Sequence, residues 1–164
     1  MLPLLTRFSA ATDEQIARRY RLLAELTALL QEIRAETRAR VQAELEIDRY
    51  HELEPKVRER LEEQAEARIE GEYRAAREQV LEEIYRWFGD LLLCVEGADD
   101  PLLARPDQSE TARRIAHGLT AAQACHNLDA IEQIRDSLSR NISETLAFEV
   151  GLLKLTPTVS HAAR

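Results

Sequence analysis

Cysteine, glycine, proline and aromatic residues are all scarce in this 164-residue chain. The two cysteines, Cys94 and Cys125, provide neither a disulfide framework nor the paired spacing of a zinc site. Five glycines are too dispersed to build a phosphate cradle, and neither G-x-x-x-x-G-K-[ST] nor G-x-G-x-x-G occurs. Aromatics make up only 5% of the chain, and at their one cluster, Tyr85 to Leu93, only Arg86 supplies the nearby positive charge that a base-stacking platform needs. No apolar run approaches the roughly 18 residues of a membrane span. The opening MLPLLTRFSAAT has a single Arg and no apolar stretch long enough for a signal peptide. These absences predict a soluble protein of a reducing cytoplasm, without membrane association.

Charged residues make up 32% of the chain and Ala, Leu, Glu and Arg dominate it, a composition that favours helix. The fold class expected is all-α. The formal net charge is -8, and between Glu44 and Glu83 fourteen acids face seven bases. Such a stretch repels a phosphate backbone, so direct nucleic-acid binding by that region is not expected.

From Thr12 or Asp13, either able to cap a helix, apolar residues recur at steps of three and four: Ile16, Tyr20, Leu23, Leu26, Leu30, Ile33, Thr37, Val41 and Leu45. This predicts one long helix ending near Tyr50. Pro55 suits the first turn of a second. Along it Val57, Leu61, Ala65, Ile69, Ala76, Val80, Ile84, Phe88, Leu91 and Val95 repeat the spacing. Residues 12–95 therefore read as a long antiparallel helical hairpin behind a lead-in at 1–11. Its distal part, about Arg38 to Arg74, is a charged, solvated arm with a narrow apolar seam.

Gly97, Pro101 and Pro106 break the second helix. Residues 96–155 then predict a small bundle, about five helices in all, sharing its core with the hairpin base. Asp107 with Glu110 spells a capping box, and Thr120 with Gln123 spells another. Ala124, Leu128, Ile131, Ile134 and Leu138 form the buried stripe of the helix that follows. Asn141 suits its left-handed end, and Ser143 caps the last helix. Pro157 and small polar residues make 156–164 a disordered tail.

The histidines, His51, His117, His126 and His161, form no H-x-x-x-H or H-E-x-x-H pair, so no metal site is expected. His126 on a bundle helix admits phosphotransfer, but a histidine beside an apolar stripe is far more often structural. Acid pairs such as Glu62–Glu63, Glu82–Glu83 and Asp99–Asp100 have no neighbouring nucleophile to serve. No catalytic residue and no cofactor are expected. YRWFGDLLL, Tyr85 to Leu93, is the one aromatic cluster and reads as core and interface.

The last helix is apolar on two sides. At 100° per residue, Leu146, Val150 and Leu153 share one face, and Phe148, Leu152 and Leu155 lie nearly opposite. Periodicity alone leaves open whether this helix is buried all round or shares one face with a partner.

Two segments together resemble the C-terminal collar domain of bacterial clamp-loader subunits of DNA polymerase III, most closely the delta-prime type. A W-F-x-D-L-L-L stretch is matched by Trp87, Phe88, Asp90, Leu91, Leu92 and Leu93. An R-x-x-L-x-x-N, Arg135, Leu138 and Asn141, precedes an L-A-L-E-x-L-L-L-R-L type helix. Here that helix is Leu146, Ala147, Phe148, Glu149, Leu152, Leu153, Lys154 and Leu155, with Phe148 for Leu and Gly151 for a larger residue. The resemblance covers about residues 80 to 155. The family's ATPase-like module, zinc-binding cysteines and S-R-C arginine finger are not in this chain, so the resemblance implies a C-terminal piece or a stand-alone collar.

What the resemblance implies is a noncatalytic oligomerisation module in DNA replication: five collars form a ring that orders the ATPase modules while the sliding clamp is loaded. The partners implied are clamp-loader subunits of delta and gamma/tau type; whether the isolated piece self-associates is left open by the sequence. Phe148, Leu152 and Leu155 are expected to face the neighbouring subunit. Trp87, Phe88, Leu91, Leu128, Ile131, Leu138, Leu146, Val150 and Leu153 are expected in the bundle core. The competing expectation is a stand-alone coiled-coil adaptor that binds through its hairpin.

Overall fold

The structure is a computed structural model and describes residues 16–45, 54–140 and 142–156, with side chains from Arg19 onward. Five α-helices and no strand occur among the described residues: α1 Ile16–Glu44, α2 Pro55–Val95, α3 Ser109–Ala116, α4 Ala121–Ser139 and α5 Glu144–Lys154. Two 3-10 turns, Asp100–Leu102 and Pro106–Gln108, lie between α2 and α3. The all-α class is as expected. The lead-in at 1–11, the cap at 12 or 13, the segment 46–53, Asn141 and the tail from 157 lie outside the described residues.

The chain divides into two compact units, residues 28–80 and residues 1–27 with 81–164. The 28–80 unit pairs α1 with α2 antiparallel. Arg34 bonds Glu70 at 3.2 Å and Arg38 bonds Glu66 at 3.1 Å, so four residues forward on α1 are matched by four back on α2. The seam between them is narrow. Leu30, Thr37 and Val41 are buried on α1, and Ala65, Ile69, Tyr73 and Val80 on α2, at helical spacing. Its rim is ionic: Arg40, Glu44, Arg68 and Glu72 close a four-membered ring of pairs, with Arg40–Glu44 at 3.2 Å and Arg68–Glu72 at 2.7 Å. The Arg34 guanidinium lies 4.1 Å over the Tyr73 ring, a cation–π contact beside the seam. Tyr73 is a seam residue that the sequence pattern omits, whereas Val57 is exposed.

The core of the other unit is built around the aromatic cluster. Trp87, Phe88 and Leu91 are buried with Leu81 and Ile84, so α2 is covered over a broad face. On α4, Ala124, Ile131, Ile134 and Leu138 are buried as expected, and Leu128 is half-buried. On α1, Leu26 is buried as expected, while Leu22 is buried in place of the half-buried Leu23 and Tyr20 is exposed.

Gly97 ends α2 with φ 76°, a left-handed conformation that glycine adopts without a Cβ penalty. Ala98 N–H donates to Leu93 O at 2.9 Å and Gly97 N–H to Cys94 O at 3.2 Å, the paired bonds of a Schellman stop. The carboxylate of Asp90 then holds the returning loop, accepting from Ala104 N–H at 2.7 Å and Arg105 N–H at 3.1 Å. Burial pushes this carboxyl up, against the lowering effect of the two N–H donors.

The caps divide. Thr120 and Gln123 form the full box, with Gln123 N–H donating to Thr120 Oγ1 at 3.3 Å and Thr120 N–H to Gln123 Oε1 at 2.9 Å. Asp107 with Glu110 does not. Pro106 starts a 3-10 turn that runs directly into α3, so Gln108 takes the N-cap position and makes no side-chain cap bond. Asp107, inside that turn, accepts instead from Gln108 Nε2 at 2.8 Å. Ser143 occupies the N-cap of α5, but its hydroxyl makes no cap bond.

Candidate interaction surface

α5 packs against α4, and small residues set how closely. Ala147 and Gly151, four residues apart, lie on the covered side of α5 and are both buried. A Cβ at Gly151 would overlap Ile134 of α4, so the approach there requires glycine. That contact fixes which apolar face points inward. Phe148, Leu152 and Leu155 are only 2%, 4% and 6% exposed, whereas Leu146, Val150 and Leu153 are 52%, 44% and 40% exposed.

The sequence-based assignment of the two faces is therefore inverted. Phe148, Leu152 and Leu155 belong to the chain's own core and do not offer a surface to a neighbour. Leu146, Val150 and Leu153 are not bundle core. Ile142, in the turn before α5, is also 41% exposed. The remaining expected core residues, Trp87, Phe88, Leu91, Ile131 and Leu138, are buried.

Three side chains hold the end of α5, where a helix leaves carbonyls without intrahelical partners. Arg19 donates to Leu153 O at 2.7 Å and to Leu155 O at 2.9 Å. His126 Nε2 donates to Lys154 O at 3.0 Å. Asn127, buried on α4, donates through Nδ2 to Thr156 O at 3.2 Å and accepts from Thr156 N–H at 2.7 Å. His126, the phosphotransfer candidate, thus meets a main-chain carbonyl. No sequence motif marks Arg19 or Asn127, because their partners lie 29 or more residues away.

The rims of the exposed stripe are charged. On one side Glu149 accepts from the Tyr20 hydroxyl at 2.8 Å, and this bond, reinforced by the carboxylate charge and slight burial, raises the phenol pKa above its ordinary value. On the other side Lys154 Nζ donates to Gln133 Oε1 at 2.6 Å. Beside Val150 and Lys154 a half-open cleft of about 200 Å³ runs between α4 and α5, floored by Ile134, Ala147 and Gly151 and edged by Asp136 and Arg140. Chemically, this surface combines aliphatic packing with one charge of each sign.

Among the described residues, no group of three or more His, Cys, Asp or Glu side chains is arranged to hold a metal ion. No described helix is long and apolar enough to cross a membrane. Cys125 is exposed and Cys94 half-buried, both as free thiols. No family model, curated protein or solved structure matches the chain.

Proposed function

We propose that this chain is a noncatalytic interaction module whose working surface is the outward stripe of α5. One observation carries the reading: Leu146, Val150 and Leu153 stand 40% to 52% exposed on one side of a helix whose other side is core. Scattered apolar residues on a surface are ordinary, but an aliphatic row along a single helix marks a contact site.

The setting implied by the sequence resemblance is the collar of a bacterial clamp loader. It rests on the order and spacing of the motifs at 87–93 and 135–155 alone. In that setting the partners are clamp-loader subunits of delta and gamma/tau type, and the face toward the neighbour is Leu146, Val150 and Leu153. The module's contribution to clamp loading is then assembly.

Affinity capture with purified clamp-loader subunits tests this reading. Leu146→Asp and Val150→Asp, both at exposed positions, should keep the helical circular dichroism of the wild type and lose capture. Unchanged capture by folded stripe variants, or no capture by the wild type, overturns it.

A further inference from the structure

The exposed stripe of α5 has the register of a helix-pairing seam. Leu146, Val150 and Leu153 are spaced four and three residues apart, the d-a-d steps of a heptad. A β-branched residue at a with leucines at d favours two parallel helices. In this frame Glu149 occupies g and Lys154 the following e, one on each rim, and no charged residue lies at the a and d positions between them.

The rim charges select an orientation. In a parallel pair, g of one helix faces the e five residues further along its partner. Glu149 and Lys154 are separated by that interval, so a symmetric parallel pair sets Glu149 of each copy beside Lys154 of the other. In an antiparallel pair, g meets g and e meets e, which would oppose Glu149 to Glu149 and Lys154 to Lys154. Among the described residues each rim charge bonds only a neutral group, Glu149 the Tyr20 hydroxyl and Lys154 the Gln133 amide, so neither is neutralised by a described residue.

From this charge complementarity and seam register we infer that α5 pairs in parallel with α5 of a second copy of this chain, about a two-fold axis along the helices. The inference deepens the proposed function and rests on the same stripe. Three half-exposed aliphatic residues on one helix fall well short of the roughly 800 Å² per partner of a standard interface, so the pair is weak and concentration-dependent.

Sedimentation equilibrium of the full chain over a concentration series tests the pairing. The wild type should show reversible monomer and dimer. Glu149→Lys alone places Lys beside Lys, and Lys154→Glu alone places Glu beside Glu; each should weaken dimerisation roughly tenfold. An equimolar mixture of the two variants restores both opposite-charge pairs and should regain wild-type dimerisation. Because each chain in the mixture keeps its own substitution, misfolding cannot produce that recovery. A wild type that stays monomeric, single variants that dimerise normally, or a mixture without recovery overturns the inference. A monomer that still captures a clamp-loader subunit through the stripe overturns the pairing and leaves the proposed function standing. A dimer that captures no such subunit does the reverse.

Discussion

Ile134 fills the space in which a side chain at Gly151 would begin: a Cβ built there overlaps Ile134 Cγ1 and Cδ1. Glycine inside a helix is about 1 kcal/mol less favourable than alanine. Here the closer approach of α4 and α5 offsets that cost.

Gly151→Ala should therefore destabilise the protein, although it improves helix propensity. Overpacking of this kind costs about 1–3 kcal/mol. Isoleucine cannot readily rotate away, since a β-branched side chain in a helix has essentially one χ1 choice. Urea unfolding measures the loss, and trimming Ile134→Val in the Gly151→Ala background should return part of it. A stabilised Gly151→Ala protein would refute the close contact.

Phe148→Ala and Leu146→Ala, two residues apart on α5, should behave oppositely in the same assay. Emptying the buried Phe148 site should cost about 3–5 kcal/mol. Truncating the exposed Leu146 should stay within about 0.5 kcal/mol. The reverse ranking would restore the face assignment drawn from the sequence.

Asn127→Ala should remove the bidentate bond to Thr156 and leave two main-chain groups without their partner, a loss of about 1–3 kcal/mol. The specific readout is the Thr156 amide, whose hydrogen exchange should accelerate before that of the α4 interior. Asn127→Asp should protect this amide in part, because it keeps an acceptor for the N–H but offers no donor to the carbonyl.

The ring of Arg40, Glu44, Arg68 and Glu72 predicts acid sensitivity in the 28–80 helix pair. Hydrogen bonds from Arg68, then Arg40, hold both carboxyl groups below the ordinary value of 4.5. A carboxyl lowered in the folded state contributes stability above its unfolded pKa and loses it as pH falls through the folded one. Thermal melts should show this stability intact at neutral pH and declining only below the ordinary glutamate range. Glu44→Gln with Glu72→Gln should flatten that decline, and added salt should shrink it, since the ring is exposed.

How much of this was legible in the sequence depended on how local each cause is. The Thr120–Gln123 box was legible because both partners sit within one turn. Asp107–Glu110 has the same spelling, but Pro106 starts a 3-10 turn one residue earlier and moves Asp107 out of the cap position. The two apolar faces of α5 were visible on a helical wheel. Their orientation is set by the smallest side chains, not the largest. Ala147 and Gly151 lie on the same side as Phe148, Leu152 and Leu155, and small residues mark where another helix approaches. Arg19, Asn127 and the loop-holding role of Asp90 depend on distant main-chain groups that no spacing rule connects.

The hold on the end of α5 also decides where tension would act on this unit. Arg19, in the first turns of α1, grips the carbonyls of Leu153 and Leu155, so residue 19 and Thr156 lie at the same corner of the unit. A pull applied between residue 19 and Thr156 would load the Arg19 and Asn127 bonds directly.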